Sequence, residues 1–160
     1  MTNQKLLFDV ESAEMIEEDS NSQFATAKML LFSSGSNRHS MVCSPEVLRE
    51  MADTAYEKPI IFEFNTMYRD FGSHNEKTTI PAGFIVPNSG SFEEQADGRT
   101  SFFALGKIWK KYSKNFLDIF RENGRTGSKL SVEMELIDSE QDSSGMIVMK
   151  KFAYCAACIL

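Results

Sequence analysis

Ser131 and Glu133 are the first candidates for chemistry, because they lie two residues apart in the segment "GSKLSVEMELID", residues 127–138. Apolar and polar residues alternate in this segment, which predicts a β-strand with a hydroxyl and a carboxylate on its less apolar face. A serine that attacks a carbonyl carbon needs a neutral base to take its proton and a third group to orient that base. A half-solvated strand, whose serine and glutamates only meet water, has the same pattern.

The chain contains only two histidines that could serve as the base. His39 lies in the polar stretch "SNRHSMV", which is typical of an ordinary surface loop. His74, in "DFGSHNEKT", comes after a predicted strand and before the strand "IPAGFI", so a rigid sheet can hold it opposite another strand. His74 is therefore the candidate base, and a solvated loop histidine is the alternative.

Two helices and about six to eight strands are predicted to position these residues. Ser44 and Pro45 begin the first helix, which ends before "EKP", and Ser113 caps the second, "KNFLDIFRE", which stops at Asn123 and Gly124. This pattern predicts an α+β fold with a curled antiparallel-rich sheet or a small β-barrel and two main helices. The predicted strands are "KLLFDV", "FATAKMLLF", "KPIIFEF", "IPAGFIVP", "TSFFALGKIW", "SKLSVEMEL" and "MIVMKKFAYCAACIL".

Length and charge limit the classes of protein. The 160 residues are 42% hydrophobic, enough for one substantial core, and the formal net charge of -6 disfavours non-specific binding to nucleic acid. No segment approaches the roughly 18 apolar residues of a membrane span, and no signal peptide is recognisable. We expect cytoplasmic synthesis, with residues 1–24 as a partly mobile acidic segment that contains a short strand and residues 25–160 as a single domain.

Two local motifs are given structural interpretations. The basic run "KIWKKYSK" contains Trp109 and Tyr112, but its lysines flank a strand-to-helix junction and are interpreted as a solvated face rather than a base-stacking surface. The motif "CAAC" has no second CxxC and no nearby histidine, so it lacks the ligands of a zinc site. We expect Cys155 and Cys158 to be buried strand residues in a reducing compartment.

The order of the segments resembles the prohead maturation protease family of tailed phages, which is similar in fold to the herpesvirus assemblin proteases. The upstream stretch "SGSNRHSMVCSPEVLREMADTAYEKPI" also resembles related phage proteins, and "KKFAYCAACIL" looks like the strand that closes the family's domain. The resemblance therefore predicts one prohead-protease-like domain over residues 25–160. Its central segments are "KPIIFEF", His74, "IPAGFI", a strand ending in "ALGKIW", a helix and "SKLSVEMEL".

This resemblance implies that Ser131 is the nucleophile and His74 its general base. The herpesvirus relatives have a second histidine as third member, but no histidine follows Ser131 in this chain. An acid must then orient His74, and the candidates are Glu133, beside the nucleophile, and Asp97, between base and nucleophile in the sequence. The alternative interpretation of Glu133 is a carboxylate that faces solvent from the strand. Backbone N–H groups are expected to form the oxyanion hole, and Arg125 either helps them or is a loop charge.

The implied function is a serine endopeptidase that cleaves scaffold and capsid proteins, and itself, inside the immature phage head in the host cytoplasm. Such proteases typically prefer Glu before the cut, which makes "ESAEMIEEDSNS" a candidate for self-cleavage. No metal or organic cofactor is required, a homo-oligomer is expected, and neither nucleic acid nor a membrane is an expected partner. The alternatives are a non-catalytic phage head-assembly module of the same fold and an acidic interaction domain unrelated to phage.

Overall fold

Residues 4–18, 23–65, 70–72, 78–122 and 128–160 are described by the structure, which is a computed structural model. The helices are α1 (Pro45–Met51), continued by a 3₁₀ turn (Ala52–Ala55), and α2 (Lys114–Glu122). The strands are β1 (Gln4–Glu18), β2 (Phe24–Ser33), β3 (Gly35–Ser36), β4 (Met41–Cys43), β5 (Pro59–Phe62), β6 (Phe64–Asn65), β7 (Asp70–Phe71), β8 (Ile80–Ile85), β9 (Ser91–Glu94), β10 (Thr100–Trp109), β11 (Ser128–Gln141) and β12 (Ile147–Ile159).

Seven strands form a closed ring in the order β11-β1-β2-β10-β8-β5-β12, and pairing between β11 and β12 closes it. Neighbours in this ring are antiparallel except β5 and β12, which are parallel. β9 extends the sheet beside β10, β4 and β3 extend it beside β12, and β6 pairs with β7. The ring and the two helices confirm the predicted α+β fold with a small, antiparallel-rich barrel.

Strand direction gives the ring two distinct ends. β5 and β12 finish at the end where β8 and β11 begin, because β8 is antiparallel to β5 and β11 is antiparallel to β12. We call this the lower end and the opposite one the upper end. β10 is antiparallel to β8, so β10 begins at the upper end and finishes at the lower end.

The core lies inside the ring, and α2 packs over its lower end. On β11 the inward residues Leu130, Val132 and Met134 are buried. The rings of Phe62 on β5 and Phe116 on α2 have centroids 5.0 Å apart. Aromatic contacts of this kind stabilise beyond the area that they bury, so α2 is held firmly against the end of β5.

The two helix starts differ from each other. The Ser44 hydroxyl accepts a hydrogen bond from Val47 N, the side-chain cap that was predicted. Ser113 begins α2 through its carbonyl, which accepts from Leu117 N, whereas its buried hydroxyl donates to Ala82 O on β8 at 2.9 Å. The predicted serine at this position therefore also fastens α2 to the barrel wall.

β1 is longer than the predicted strand "KLLFDV", because it covers 15 residues. Its first part pairs with β11 and its second part with β2, and the register shifts in both ladders. The residues that follow "KLLFDV" are mostly polar, so their strand conformation depends on the partners rather than on apolar alternation. The division of the chain at residues 24 and 25, with a partly mobile first segment, stays a prediction.

Gly83 should be essential for the contact between β8 and β10. A Cβ atom at this position would overlap the backbone carbonyl of Lys107. Gly83→Ala should therefore lower the free energy of unfolding by about 2 kcal/mol, measured by urea denaturation. Ser139→Ala, at an exposed position of β11, is the control and should change it by less than about 0.5 kcal/mol. Equal stability of the two variants would contradict this packing.

Candidate functional site

Ser131 lies near the start of β11, between β1 and β12. In the strand register it stands opposite Asp9 on β1 and Cys158 on β12. Its neighbours Leu130 and Val132 are core residues, so strand alternation places the Ser131 side chain on the outward face. This is the face that the sequence predicted for it.

Ser131 is nevertheless fully buried. Its exposed fraction is 0%, whereas Lys129 on the same face is exposed and Glu133 is half-buried. Within the part of the chain that the structure describes, Ser131 Oγ has no hydrogen-bond partner. A buried hydroxyl without a partner costs about 1–3 kcal/mol of stability. Ser131 is thus a position where folding alone would favour another residue, and such positions are concentrated at functional sites.

The backbone beside Ser131 leads directly to β5. Cys158 on β12 stands opposite Ser131, and Ile61 on β5 stands opposite Cys158. Adjacent strands are about 4.8 Å apart, so the backbones of Ser131 and Ile61 are separated by about 10 Å. The end of β5 is therefore the nearest part of the barrel wall beyond β12.

His74, the predicted base, lies outside the described residues, but the residues on either side of its segment are described. Gly72 N donates to Glu63 O at 2.6 Å, and Thr78 Oγ1 donates to Glu63 Oε2 at 2.9 Å. Glu63 directly follows β5. The chain before and after His74 is therefore fastened at the lower end of the ring, where Ser131 also lies.

Glu133 lies two residues after Ser131 on the same strand and the same face. It is half-buried and stands opposite Leu7 on β1 and Ala156 on β12. The structure thus brings the serine and this carboxylate together on one face, as the sequence predicted.

The carboxylates on this face affect the pKa of the Cys155 thiol. Glu133 pairs with Ala156 and Met134 pairs with Tyr154, which leaves Cys155 as an extra residue in β12, a β-bulge. Burial raises the pKa of the Cys155 thiol, and the carboxylates of Glu135 and then Glu133 raise it further. The two glutamates on the outer face of β11 therefore both disfavour the Cys155 thiolate, and Lys58 and Lys5 act in the opposite direction.

Asp97, the alternative acid, lies in the turn between β9 and β10. It is exposed, its Oδ1 accepts from Arg99 N at 3.0 Å, and its Oδ2 lies 3.9 Å from Arg99 Nε. Because β10 begins at the upper end, this turn is at the opposite end of the ring from Gly72 and Thr78. The structure thus does not bring Asp97 to the end where the His74 segment is fastened.

The remaining residues singled out in the sequence are His39, Arg125 and the cysteines. His39 is exposed, and its ring packs edge-on against Phe8 with the centroids 5.3 Å apart, which agrees with a surface residue. Arg125 lies outside the described residues. Cys158 is buried as predicted, but Cys155 is only half-buried because of its bulge. All three cysteines are free thiols, and burial raises the pKa of Cys43 to about 12.

Two recesses on the surface of the described residues bear on the residues singled out in the sequence. One, of about 560 Å³, lies between β1, β2 and the turn that carries Asp97, and its lining includes Phe8, Phe32, Asn37 and Arg99. The other, of about 570 Å³, lies at the end of β10 and includes Trp109, which the sequence had assigned to a solvated junction. Neither lining includes Ser131, so the serine is closed to a peptide in this conformation.

The family model for the YonD N-terminal domain matches residues 23–160. The chain belongs to the YonD N-terminal domain family. The fold of this family member is similar to that of the bacteriophage T4 capsid assembly protease, gp21, with a TM-score of 0.60 at 10% sequence identity, and the match covers 99% of each chain. This likeness confirms the fold expected from the resemblance to the prohead proteases.

No match was found among curated proteins. Within the described ranges, no helix is long and apolar enough to cross a membrane. In those ranges there is also no group of three or more His, Cys, Asp or Glu side chains that could hold a metal ion.

The reactivity of Cys155 tests the placement of Glu133. Glu133→Gln removes a negative charge that disfavours the thiolate, so the pKa of Cys155 should fall and its alkylation by iodoacetamide at mildly alkaline pH should become faster. Mass spectrometry of the Cys155 peptide gives the rate. The control is Glu140→Gln, because Glu140 is exposed and lies 3.4 Å from Lys150 Nζ. An unchanged rate in Glu133→Gln would place its carboxylate away from Cys155.

Proposed function

We propose that this chain is a serine endopeptidase of phage capsid assembly that cleaves scaffold and capsid proteins, and itself, inside the immature head. Two findings support the proposal: the fold that it shares with the T4 capsid assembly protease, and the state of Ser131. The second carries the proposal, because a serine hydroxyl on a rigid strand with no partner among the described residues has no evident structural purpose. Its function would be to attack a carbonyl carbon.

His74 is the proposed base. It is two positions after Gly72 in the sequence, so the chain between them spans at most about 7 Å. Gly72 is fastened to Glu63 at the end of β5, and the backbone of β5 lies about 10 Å from that of Ser131. A histidine side chain that starts from there can reach the space outside β11. The ring of His39 packs against Phe8, a core residue whose partner Val132 faces inward, whereas Ser131 faces outward.

Glu133 is the proposed third member. It shares the outward face with Ser131, which is also the face on which an imidazole in contact with Ser131 Oγ would have to lie. Asp97 is less suitable, because its turn is at the upper end of the ring and its carboxylate already contacts Arg99. A carboxylate that accepts the second N–H of the imidazole selects the correct tautomer and stabilises the imidazolium.

The proposed reaction needs no metal and no organic cofactor. His74 takes the proton of Ser131 as the Oγ–C bond forms, and backbone N–H groups, with Arg125, stabilise the oxyanion. The peptide C–N bond then breaks, and His74 gives the proton to the leaving amine. A water molecule, deprotonated by His74, attacks the acyl carbon, the Oγ–C bond breaks, and His74 returns the proton to Ser131 Oγ as the acid product leaves.

The burial of Ser131 adds a condition to this mechanism. A peptide carbonyl cannot reach a side chain that is 0% exposed, so the atoms around Ser131 Oγ must move before cleavage. The same observation favours a second candidate function: a non-catalytic head-assembly module, in which Ser131 only fills space. The two candidates differ in whether the hydroxyl is ever activated.

The proposed biological setting follows the prohead proteases. The chain would act within the immature head in the host cytoplasm as a homo-oligomer, with neither nucleic acid nor a membrane as partner. Preference for Glu before the cut would make "ESAEMIEEDSNS" a site of self-cleavage. An acidic interaction domain unrelated to phage would produce no cleavage at any of these sites.

Ser131→Ala should abolish cleavage, with a loss of about 10⁶-fold, because the nucleophile is gone. It should leave the free energy of unfolding unchanged or higher, since it removes a buried hydroxyl without a partner in the described structure. The measurement is incubation of the purified chain with its scaffold protein and mapping of new termini by mass spectrometry. Ser139→Ala is the matched control. The same new termini from folded Ser131→Ala protein would refute the protease proposal.

Glu133→Gln and Asp97→Asn should have different effects in single-turnover cleavage. Loss of the orienting carboxylate lowers turnover by about 10⁴-fold in other serine hydrolases, and we expect such a loss for Glu133→Gln only. A severe loss in Asp97→Asn with near-normal Glu133→Gln would reverse the assignment. Mild effects in both would indicate that Ser131 and His74 work as a dyad.

A further inference from the structure

We propose that the recess at the end of β10 binds an acidic peptide segment of a partner protein. Its lining consists of Gln23, Trp109, Lys110, Lys111 and Tyr112, and we call it the lysine-aromatic recess. It contains none of the proposed catalytic residues. This binding goes beyond the proposed function, because it requires no activated serine.

The recess lies at the turn between β10 and α2, which backbone hydrogen bonds hold in place. Trp109 is the last residue of β10 and pairs with Phe24 at the start of β2. Lys110 N then donates to Gln23 O, and Ser113 N donates to Trp109 O, both at 3.0 Å. The turn is therefore held by backbone hydrogen bonds on both sides. The recess has a volume of about 570 Å³, which lies in the range of natural ligand sites.

Aromatic rings form the apolar part of this surface. The Trp109 ring lies 6.0 Å from that of Phe84, which in turn lies 6.1 Å from that of Phe24. Tyr112 is 79% exposed, an unusual position for a large aromatic side chain. Exposed Tyr and Trp side chains are enriched at protein interfaces, where their rings pack against a partner and their polar atoms stay hydrogen-bonded.

The charge of the recess is opposite to that of the whole chain. Residues 107–114 contain four lysines and no acidic residue, whereas the chain has 17 basic and 23 acidic residues. Lys107 Nζ lies 5.3 Å above the Phe24 ring, and Lys111 Nζ lies 5.5 Å from the Tyr112 ring. Among the described residues that line the recess, none is acidic. A carboxylate from a partner would therefore meet the ammonium group of the exposed Lys111.

A peptide suits this site better than a nucleic acid. Glutamate side chains can place a carboxylate at Lys111 and their methylene groups against Trp109 and Tyr112. A nucleic acid needs a longer basic track, and the net charge of -6 would repel the rest of its backbone. Charge complementarity therefore favours an acidic protein segment.

The location of the recess indicates a role for this binding in holding substrate. β10 finishes at the lower end of the ring, where Ser131 and the fastened ends of the His74 segment also lie. β10 is three strands from β11 in the ring, so an acidic segment bound there could hold a substrate chain at the end of the barrel that carries Ser131. This use rests on the proposed function, but the binding itself does not.

Trp109 is the only tryptophan of the chain, so its fluorescence reports directly on the recess. The probe is a synthetic Glu-rich peptide without tryptophan, titrated into the full chain at low salt. We expect a saturable change in Trp109 emission that weakens with added salt, and no change with the same peptide in which every Glu is Gln. Ser131→Ala should bind as the unchanged chain does, even if no cleavage is ever observed.

Variants test the surface itself. Lys111→Glu should weaken peptide binding by about tenfold, and Tyr112→Ser should also weaken it. The matched control, Lys151→Glu, makes the same charge change at an exposed position of β12 and should bind normally. Circular dichroism confirms that each variant is folded. Equal binding of the Glu and Gln peptides, no effect of Lys111→Glu, or tighter binding of a single-stranded oligonucleotide would overturn the proposal.

Discussion

The pairing of β11 with β12 is the constraint on which the rest of the structure depends. β11 and β12 stand at the two ends of the order β11-β1-β2-β10-β8-β5-β12, so their pairing closes the barrel around its core. It also sets the surroundings of Ser131, because Cys158 stands opposite it and leads to Ile61 on β5. A shift of one residue in this register would turn Ser131 into the core. The position of the proposed nucleophile is therefore a consequence of how the barrel closes.

The direction of the strands then separates two regions of the surface. The lower end collects Ser131, the two hydrogen bonds that fasten Gly72 and Thr78 to Glu63, and the lysine-aromatic recess. The upper end carries Asp97 and the recess beside it. Because neighbouring strands alternate in direction, residues that are close in sequence can lie at opposite ends, and only the topology shows which of them can act together. The proposed chemistry uses one end of the barrel.

Local patterns predicted the parts of this structure that depend on local physics. Alternation placed Ser131 and Glu133 on the outward face of one strand, and the observed bounds of α2 are those of the predicted helix. The burial of Ser131 could not be predicted, because it depends on what packs over the strand from elsewhere in the chain. The bulge at Cys155 depends on the register with β11, and the bond from Ser113 Oγ to β8 depends on how α2 docks. Each of these features comes from tertiary contacts, which local alternation does not contain.

The central claim is that His74 activates Ser131, and labelling with a serine-reactive phosphonate tests it without a known substrate. Mass spectrometry should locate the phosphonate on Ser131 in the unchanged chain and in His39→Ala, and should find none in folded His74→Ala, because only an activated hydroxyl reacts. Ser131 that stays unlabelled in the unchanged chain, or that is labelled equally well without His74, would contradict the account.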